Sequence, residues 1–293
     1  MIEKKADIDT PLPLNGSTPI WFACQSQYFE IVKLLLEKKA NIETPNNDSS
    51  SPFCVACKSG HLGIVKLLLA NKANVETPTD SGCTPFWKAC ERGHLDVVKL
   101  LLDNKVNVET PTLNGCTPLY IVCQNGYLDI VKLLVEHKVD IETPLEIGST
   151  PFSTACDNGH IDIVKYLIEN KANINTPDKI GFTPLYLSCS KGHLNVVKIL
   201  IENKVNIETP LNCESTPLIV ACAEGYLDIV KFLIESNADI EKPAKNGCSP
   251  LFIATLKKRR NIVDLLIKNK ANIATLDYTI PVPDEPVYYL YND

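Results

Sequence analysis

Four cysteines are each followed, four residues later, by a histidine, and this spacing is the strongest candidate for chemistry in the chain. Residues four apart share one face of a helix, so such a pair could form an activated thiolate or part of a zinc site. A glycine, which favours the end of a helix, falls between the two residues in every copy, and the same site would be used four times. The pattern therefore favours capping and core packing over catalysis. The pairs are Cys57 and His61, Cys90 and His94, Cys156 and His160, and Cys189 and His193.

Other signatures of chemistry are weak or absent from the sequence. Cys54 and Cys57 form a Cys-x-x-Cys pair, but the pair lies inside one predicted helix, without the flanking strand of a thioredoxin-like motif. The sequence contains no glycine-rich phosphate loop and no His-Glu-x-x-His motif. It therefore predicts a protein that is not an enzyme, without a cofactor or a metal.

The elements that must position these residues repeat with a period of 33. A threonine or serine followed by proline recurs at that spacing without insertion, and the copies begin at residues 18, 51, 84, 117, 150, 183, 216 and 249. A fixed period of this size is typical of a solenoid, in which each repeat contacts only its neighbours. The sequence therefore predicts one array over residues 1–275, with a partial start at 1–17, and a tail at 276–293 that contains proline and tyrosine.

The copy that begins at residue 84 predicts a helix, a tight turn, a second helix and a projecting loop. Thr84 can cap the first helix, and Pro85 suits its first position. Gly93 stops that helix, because glycine adopts the left-handed conformation cheaply. Asp96 then lies in the first turn of the second helix, where a negative charge is favourable. The predicted fold class is an all-α repeat solenoid.

This repeat resembles the ankyrin repeat over residues 6 to about 275. The motifs that carry the resemblance are Thr-Pro-Leu or Thr-Pro-Phe, Ala-Cys in place of the family's Ala-Ala, Gly-His, an Ile/Val-Val-Lys-x-Leu run, and a closing Ala-Asn-Ile or Ala-Asn-Val. The resemblance implies a stack of helix-turn-helix units with projecting β-turn loops, called fingers. It also implies a concave binding surface formed by the fingers and the inner helices.

Two positions depart from the family's pattern. Lysine, or asparagine in one copy, replaces the glycine that follows the second helix. An asparagine one residue earlier, such as Asn71 or Asn104, could adopt the left-handed conformation instead. The family's histidine after Thr-Pro-Leu is absent from every copy, so its hydrogen bonds cannot be assumed. The residues found there are Trp21, Cys54, Trp87, Tyr120, Ser153, Tyr186, Ile219 and Phe252.

The composition disfavours several classes of partner. The formal net charge is −6, whereas nucleic-acid binding needs a basic face. No apolar run approaches the roughly 18–20 residues of a membrane helix, so no membrane insertion is expected. Seven of the twelve cysteines share one slot of the first helix, about one helix-packing distance apart, which indicates buried, reduced thiols and a cytoplasmic protein. The basic cluster at residues 257–260 leaves open a nuclear address or an anionic contact, besides a solubilising end cap.

Both ends of the array depart from the repeat. Gln27-Tyr28-Phe29 replaces Gly-His-Leu in the first repeat, next to Trp21 and Phe22, so this end is expected to be only half capped. The pattern indicates either a piece of a longer array or an end that docks on something, such as a second copy. Three prolines between residues 281 and 286 exclude a helix in the tail. The aromatic run at 287–291 could pack on the last repeat or serve as a docking peptide.

Residues that vary between copies are the candidates for partner binding, because packing constrains them least. Apolar finger residues are a second signal, since finger tips are expected to be polar. Exposure is expected for Leu113, Ile147 and Ile180, whereas Leu145 and Leu211 could equally tuck back. The variable positions at the end of the first helix include Glu91, Arg92, Gln124, Asn125, Asp157 and Asn158. The remaining predicted site residues are Phe182 on a finger and Trp87, Tyr120 and Tyr186 on the helices beneath, of which the two tyrosines are hot-spot candidates.

The sequence thus predicts a non-catalytic scaffold that binds a protein partner on its concave, finger-bearing side, centred on residues 113–187. Two alternatives stay open. The protein could regulate a bound enzyme, as inhibitor or substrate adaptor, or it could be a structural tether that assembles end to end. A monomer is expected for the scaffold, with end-to-end self-association as the alternative.

Overall fold

A computed structural model describes residues 7–209 and 214–276. For residues 275 and 276 only the backbone is described. This part of the chain forms sixteen α-helices and one 3-10 helix and contains no strand. The helices are α1 (Pro19–Gln25), α2 (Phe29–Glu37), α3 (Pro52–Ser59), α4 (Leu62–Ala70), α5 (Pro85–Glu91), α6 (Leu95–Asp103), α7 (Pro118–Asn125), α8 (Leu128–Glu136), α9 (Pro151–Asp157), α10 (Ile161–Glu169), α11 (Pro184–Lys191), α12 (Leu194–Glu202), α13 (Pro217–Glu224), α14 (Leu227–Glu235), α15 (Pro250–Leu256), α16 (Arg260–Lys268) and the 3-10 helix Ile273–Leu276.

Each first helix begins where the sequence predicts. In every copy the threonine or serine hydroxyl accepts a hydrogen bond from the backbone N–H three residues later, as Thr84 Oγ1 does from Trp87 N at 3.1 Å. Proline then occupies the first helical position, where its missing N–H needs no partner. Such a cap contributes about 1 kcal/mol, so the helix start is fixed locally.

The helices group into two compact units. Unit 1 comprises Met1–Ala155 with Glu169–Ala172, and unit 2 comprises Cys156–Ile168 with Asn173–Asp293. In unit 1 the first helices α1, α3, α5 and α7 pack side by side, and the second helices α2, α4, α6 and α8 do the same behind them. Unit 2 repeats this arrangement with α11, α13 and α15 against α12, α14 and α16. The predicted all-α repeat solenoid is confirmed within each unit.

The core lies between the two rows of helices. Val98 and Leu101 in α6 are fully buried, as are their counterparts in the other internal repeats, and Cys90 in α5 is buried against them. Burial of a side chain of this size stabilises the fold by about 1.5–3 kcal/mol. A short repeat can bury these residues only against its neighbours, so the helix pairs depend on one another.

The left-handed residue after each second helix stands at the lysine position, which is Asn237 in one copy, and not at the position before it. The φ angles at Lys39, Lys72, Lys105, Lys138, Lys171, Lys204, Asn237 and Lys270 lie between +56° and +69°. The prediction that Asn71 and Asn104 take this conformation is wrong, since their φ angles are −92° and −87°. Instead the side-chain N–H of Asn71, Asn104, Asn203 and Asn269 donates to the carbonyl four residues earlier, as Asn104 Nδ2 does to Leu100 O at 2.7 Å. This bond requires a negative φ at the asparagine, so the left-handed conformation is adopted by the next residue.

We predict that Lys105→Gly raises the free energy of unfolding by about 0.5–1 kcal/mol. The left-handed conformation costs a lysine roughly 1–2 kcal/mol, and the greater entropy of glycine in the unfolded chain removes part of the gain. Urea denaturation followed by circular dichroism measures the change. Asn104→Gly is the matched control. It must lower the stability, because it removes the bond to Leu100 O without relieving a positive φ.

Candidate protein-binding face

The fingers of unit 1 are β-turns, as the resemblance implies, and they present apolar tips. Gly115 N donates to Thr112 O at 2.9 Å, and Thr112 N donates to Cys116 O at 3.0 Å, which closes the turn. Leu113, at the tip, also donates its backbone N–H to Ser81 O of the neighbouring finger at 3.0 Å. Its side chain is nevertheless 73% exposed, so the backbone is fixed while the side chain faces solvent. The expected exposure of Leu113 is confirmed.

The next finger of unit 1 presents Ile147, which is 40% exposed, as expected. Gly148 N donates to Leu145 O at 2.8 Å, and Leu145 N donates to Ser149 O at 2.9 Å. Leu145, for which both orientations were open, is half-buried at the base of the turn.

The finger of unit 2 at residues 178–182 is held by a carboxylate at its base. Asp178 Oδ1 accepts from Ile180 N at 2.9 Å and from Phe182 N at 2.8 Å. Ile180 is half-buried, so the expectation that it is exposed is wrong, and the turn around the Asp178 carboxylate is the physical reason. Phe182 is also half-buried and packs edge-to-face on Tyr186, with ring centroids 5.4 Å apart. Leu211, on the following finger, lies outside the described residues.

The aromatic residues beneath the fingers support them instead of facing a partner. Trp87, Tyr120 and Tyr186 were predicted as contact residues, but their side chains are only 7%, 8% and 1% exposed. Trp87 Nε1 donates to Cys116 O at 3.0 Å, at the base of the next finger, and the Tyr120 hydroxyl lies 3.2 Å from Ser149 Oγ. These bonds are made at the position where the family's pattern has a histidine. Their burial does not support a partner contact for Trp87 or a hot-spot role for Tyr120 and Tyr186.

Polar residues at the end of α5 form a small charged cluster in unit 1. Lys88 Nζ lies 3.3 Å from Glu91 Oε2 and 4.9 Å from the centroid of the Trp87 ring. The Arg92 Nε lies 3.7 Å from the same carboxylate, and its side chain is exposed. The sequence prediction missed Lys88, although its three-residue spacing from Glu91 is the signal that would have found it. Glu91 is only partly exposed, so Arg92 is the most exposed charge of this cluster.

The end of α7 places two exposed amides beside this cluster. Asn125 Nδ2 donates to Glu91 O at 3.0 Å, so this side chain is held in place although it is exposed. Gln124 is exposed as well. Both predicted residues therefore lie on the surface of unit 1, on the same ends of the first helices as Arg92.

Asp157, at the end of α9, is the most unusual polar group in unit 2. Its Oδ1 atom is buried and has no hydrogen-bond partner among the described residues. Burial raises the pKa of the carboxyl above its usual value, and the charges of Lys191 and His193 offset part of this effect. A buried acceptor without a donor is destabilising, so this carboxyl lowers the stability of the fold. The neighbouring predicted residue Asn158 is exposed.

The cysteines and histidines have structural roles. The Cys57 thiol is completely buried, and this burial raises its pKa well above the usual value. Burial of the neighbouring Cys54 likewise raises its pKa, to about 11, so neither thiol is an activated nucleophile. His94 stacks on Gly60, and its Nε2 lies 2.9 Å from Lys58 O. No group of three metal-ligating side chains occurs in the described part of the chain.

A row of carboxylates was missed by the sequence prediction. Glu43 Oε1 accepts from Asn74 N at 2.9 Å, Glu76 Oε1 from Asn107 N at 2.8 Å, and Glu109 Oε1 from Asp140 N at 2.8 Å. In unit 2, Glu208 and Glu241 make the same bond to the next repeat. The Asn-x-Glu pattern at the 33-residue period is the signal that would have found it. These bonds tie neighbouring repeats of the same unit together at the base of the fingers.

A family model described as ankyrin repeats (3 copies) matches residues 1–79, 71–144, 141–211 and 205–277. The chain belongs to the ankyrin-repeat family. Ankyrin repeats are generic protein–protein interaction modules, typically non-catalytic and common in intracellular proteins. A search of curated proteins found no match. Among the residues that the structure describes, no helix is both long and apolar enough to cross a membrane.

We predict that Trp87→Phe loosens the finger at residues 112–116. The change removes the donor to Cys116 O and part of the buried ring, which lowers the free energy of unfolding by about 1–2 kcal/mol. Hydrogen exchange of the amides of residues 112–116 must become faster. Trp21→Phe is the matched control, because Trp21 makes the same bond to Ser50 O in the first repeat. It should leave exchange at residues 112–116 unchanged.

We predict that Asp157→Asn raises the melting temperature near neutral pH. The folded pKa of Asp157 lies above its unfolded value, so the folded state holds the proton more tightly and loses stability as pH rises through the folded pKa. Asp157→Asn lacks this loss of stability, so the difference in melting temperature between the variant and the native chain must shrink as the pH falls toward 3.8. Thermal melts of both proteins across this range test the sign. Asp129→Asn, at an exposed position in the first turn of α8, should give no such gain.

Proposed function

We propose that this chain is a non-catalytic scaffold that binds a protein partner through its finger face. The finger face is defined as the finger tips together with the last positions of the first helices. Its members in unit 1 are Glu91, Arg92, Leu113, Gln124, Asn125 and Ile147. Its members in unit 2 are Asp157, Asn158, Ile180 and Phe182.

The observation that carries this proposal is the exposed leucine on a fixed finger. Leu113 is 73% exposed, although two backbone hydrogen bonds hold its turn and a third ties it to the neighbouring finger. An apolar side chain left in water on a rigid backbone gains stability when a partner covers it, at a small cost in conformational entropy. Ile147 adds a second exposed apolar side chain to the same face of unit 1.

Polar groups around these tips favour a partner with its own hydrogen-bonding and charged side chains. Arg92 offers an exposed guanidinium, and Gln124 and Asn125 offer amides. In unit 2, Asn158 at the end of α9 is exposed and offers a further amide. An apolar centre with polar surroundings is the usual composition of a protein–protein interface.

We also propose a cytoplasmic location, because the array depends on buried, reduced thiols. Cys24, Cys57 and Cys90 are buried free cysteines in the same slot of successive first helices. Proteins with unpaired core cysteines fit a reducing compartment.

We predict that Leu113→Asp with Ile147→Asp abolishes partner binding without unfolding the chain. Both side chains are exposed, so charges there remain in solvent and should change the stability by less than about 0.5 kcal/mol. Affinity capture from the source cell, with mass spectrometry of the bound proteins, compares the variant with the native chain. Circular dichroism verifies that both are folded.

Ile267→Asp with Ile273→Asp is the matched control, because these side chains are 41% and 58% exposed but belong to the last repeat. A partner retained by the control and lost by the finger variant supports the proposal. A partner retained equally by all three proteins would exclude the fingers of unit 1 as the contact surface.

A further inference from the structure

The outer side of the first repeat exposes four large apolar side chains, which together are called the N-terminal face. Phe22 on α1 is 47% exposed and Tyr28, in the turn, is 54% exposed. Ile31 and Leu34 on α2 are 48% and 53% exposed. No other helix pair in the described residues exposes this many apolar side chains. The apolar side chains exposed on the outer side of the first helix pair fit the expected half-capped start.

The corresponding positions in the following repeats of unit 1 are covered. Ile64, Val97 and Ile130 stand where Ile31 stands in the first repeat, and they are 0–1% exposed. They are buried because α4 packs on α2, α6 on α4, and α8 on α6. The N-terminal face thus has the composition of a surface that packs against another helix pair.

The position of Tyr28 supports the same conclusion. In later repeats its counterpart lies on a glycine of the preceding repeat, as His94 does on Gly60 and Tyr127 does on Gly93. A Cβ atom at either glycine would overlap the ring, so the stacking needs glycine. Tyr28 carries the same kind of ring, and more than half of its surface is exposed among the described residues.

The last repeat of a second copy does not offer a glycine of this kind. Lys258, with φ +57°, occupies the position that Gly192 and Gly225 hold in the earlier repeats of unit 2. Its Cβ would meet the ring of an incoming tyrosine, as a Cβ at Gly192 would meet Tyr226. Ala274 also replaces the glutamate that would accept the next repeat's N–H. End-to-end stacking that continues the repeat is therefore disfavoured.

We propose that two copies of this chain associate through the N-terminal face, related by a two-fold axis. Glu30, Leu34 and Lys38 lie at i, i+4 and i+8 along α2, and all three are exposed. If α2 packs antiparallel on its copy with Leu34 at the axis, Glu30 lies opposite Lys38 of the second copy and the two Leu34 side chains face each other. The face is thus self-complementary in charge and in apolar character, which is what a two-fold interface requires. This inference does not depend on the finger face.

The association is expected to be weak. One face of one helix pair is smaller than a standard interface of about 1,600 Å², and transient complexes of that size have dissociation constants in the micromolar range. The paired charges add little free energy but fix the antiparallel orientation.

The test is the molar mass of the full-length chain, measured by sedimentation equilibrium up to about 100 µM, a range that detects micromolar dissociation constants. The native chain should shift from monomer to dimer as its concentration rises. Ile31→Asp with Leu34→Asp should remain monomeric. Ile267→Asp with Ile273→Asp, in the last repeat, and Leu113→Asp, on a finger, are the controls and should dimerise as the native chain does. Circular dichroism verifies that each variant is folded.

A charge exchange tests the antiparallel orientation. Glu30→Lys and Lys38→Glu should each weaken the dimer by roughly two- to tenfold, because the axis duplicates each pair, and the double exchange should restore it. A native chain that stays monomeric throughout would overturn the proposal, and so would loss of the dimer in the last-repeat or finger control. A dimer that the Ile31→Asp, Leu34→Asp variant retains would overturn it too.

Discussion

The burial of each helix pair against the next is the interaction on which the rest of the structure depends. A helix of seven to nine residues is too short to be stable alone, so residues such as Val98 and Leu101 must find their partners in adjacent repeats. A glycine after the first helix, such as Gly60, serves this packing, because it lets the next repeat's ring approach the backbone. The glutamate row serves it at the other end of the repeat, where each carboxylate satisfies an N–H of its neighbour.

The same packing explains how the array tolerates unfavourable local conformations. Each lysine after a second helix adopts a positive φ that an isolated chain would avoid. The backbone there is fixed from both sides, by the asparagine bond to the helix and by the buried residue that follows, such as Val106 after Lys105. Since the neighbouring residues fix the backbone of the turn, the lysine in it adopts the left-handed conformation. A strained residue in a repeat therefore reflects packing and carries no sign of function by itself.

Surface residues carry the proposed function because packing leaves them free. Leu113 is held by its backbone, so its side chain is unconstrained and exposed. Trp87 is constrained instead, since its indole fills space beneath a finger and bonds to that finger's base. Aromatic residues of the repeat thus differ in environment: those beneath the fingers stabilise the scaffold, whereas Tyr28 in the first repeat is exposed.

The sequence by itself determined the period, the two helices of each repeat, their caps and the buried cysteine slot, because all of these follow from local hydrogen bonding and apolar spacing. Tertiary structure decided the rest. It placed Trp87 and Tyr186 under the fingers, left Ile180 only half exposed, and put the positive φ on Lys105 and not Asn104. The sequence could not decide these points, because a side chain's exposure and a turn's conformation depend on the neighbouring repeat, which lies about 33 residues away in the chain and in direct contact in space.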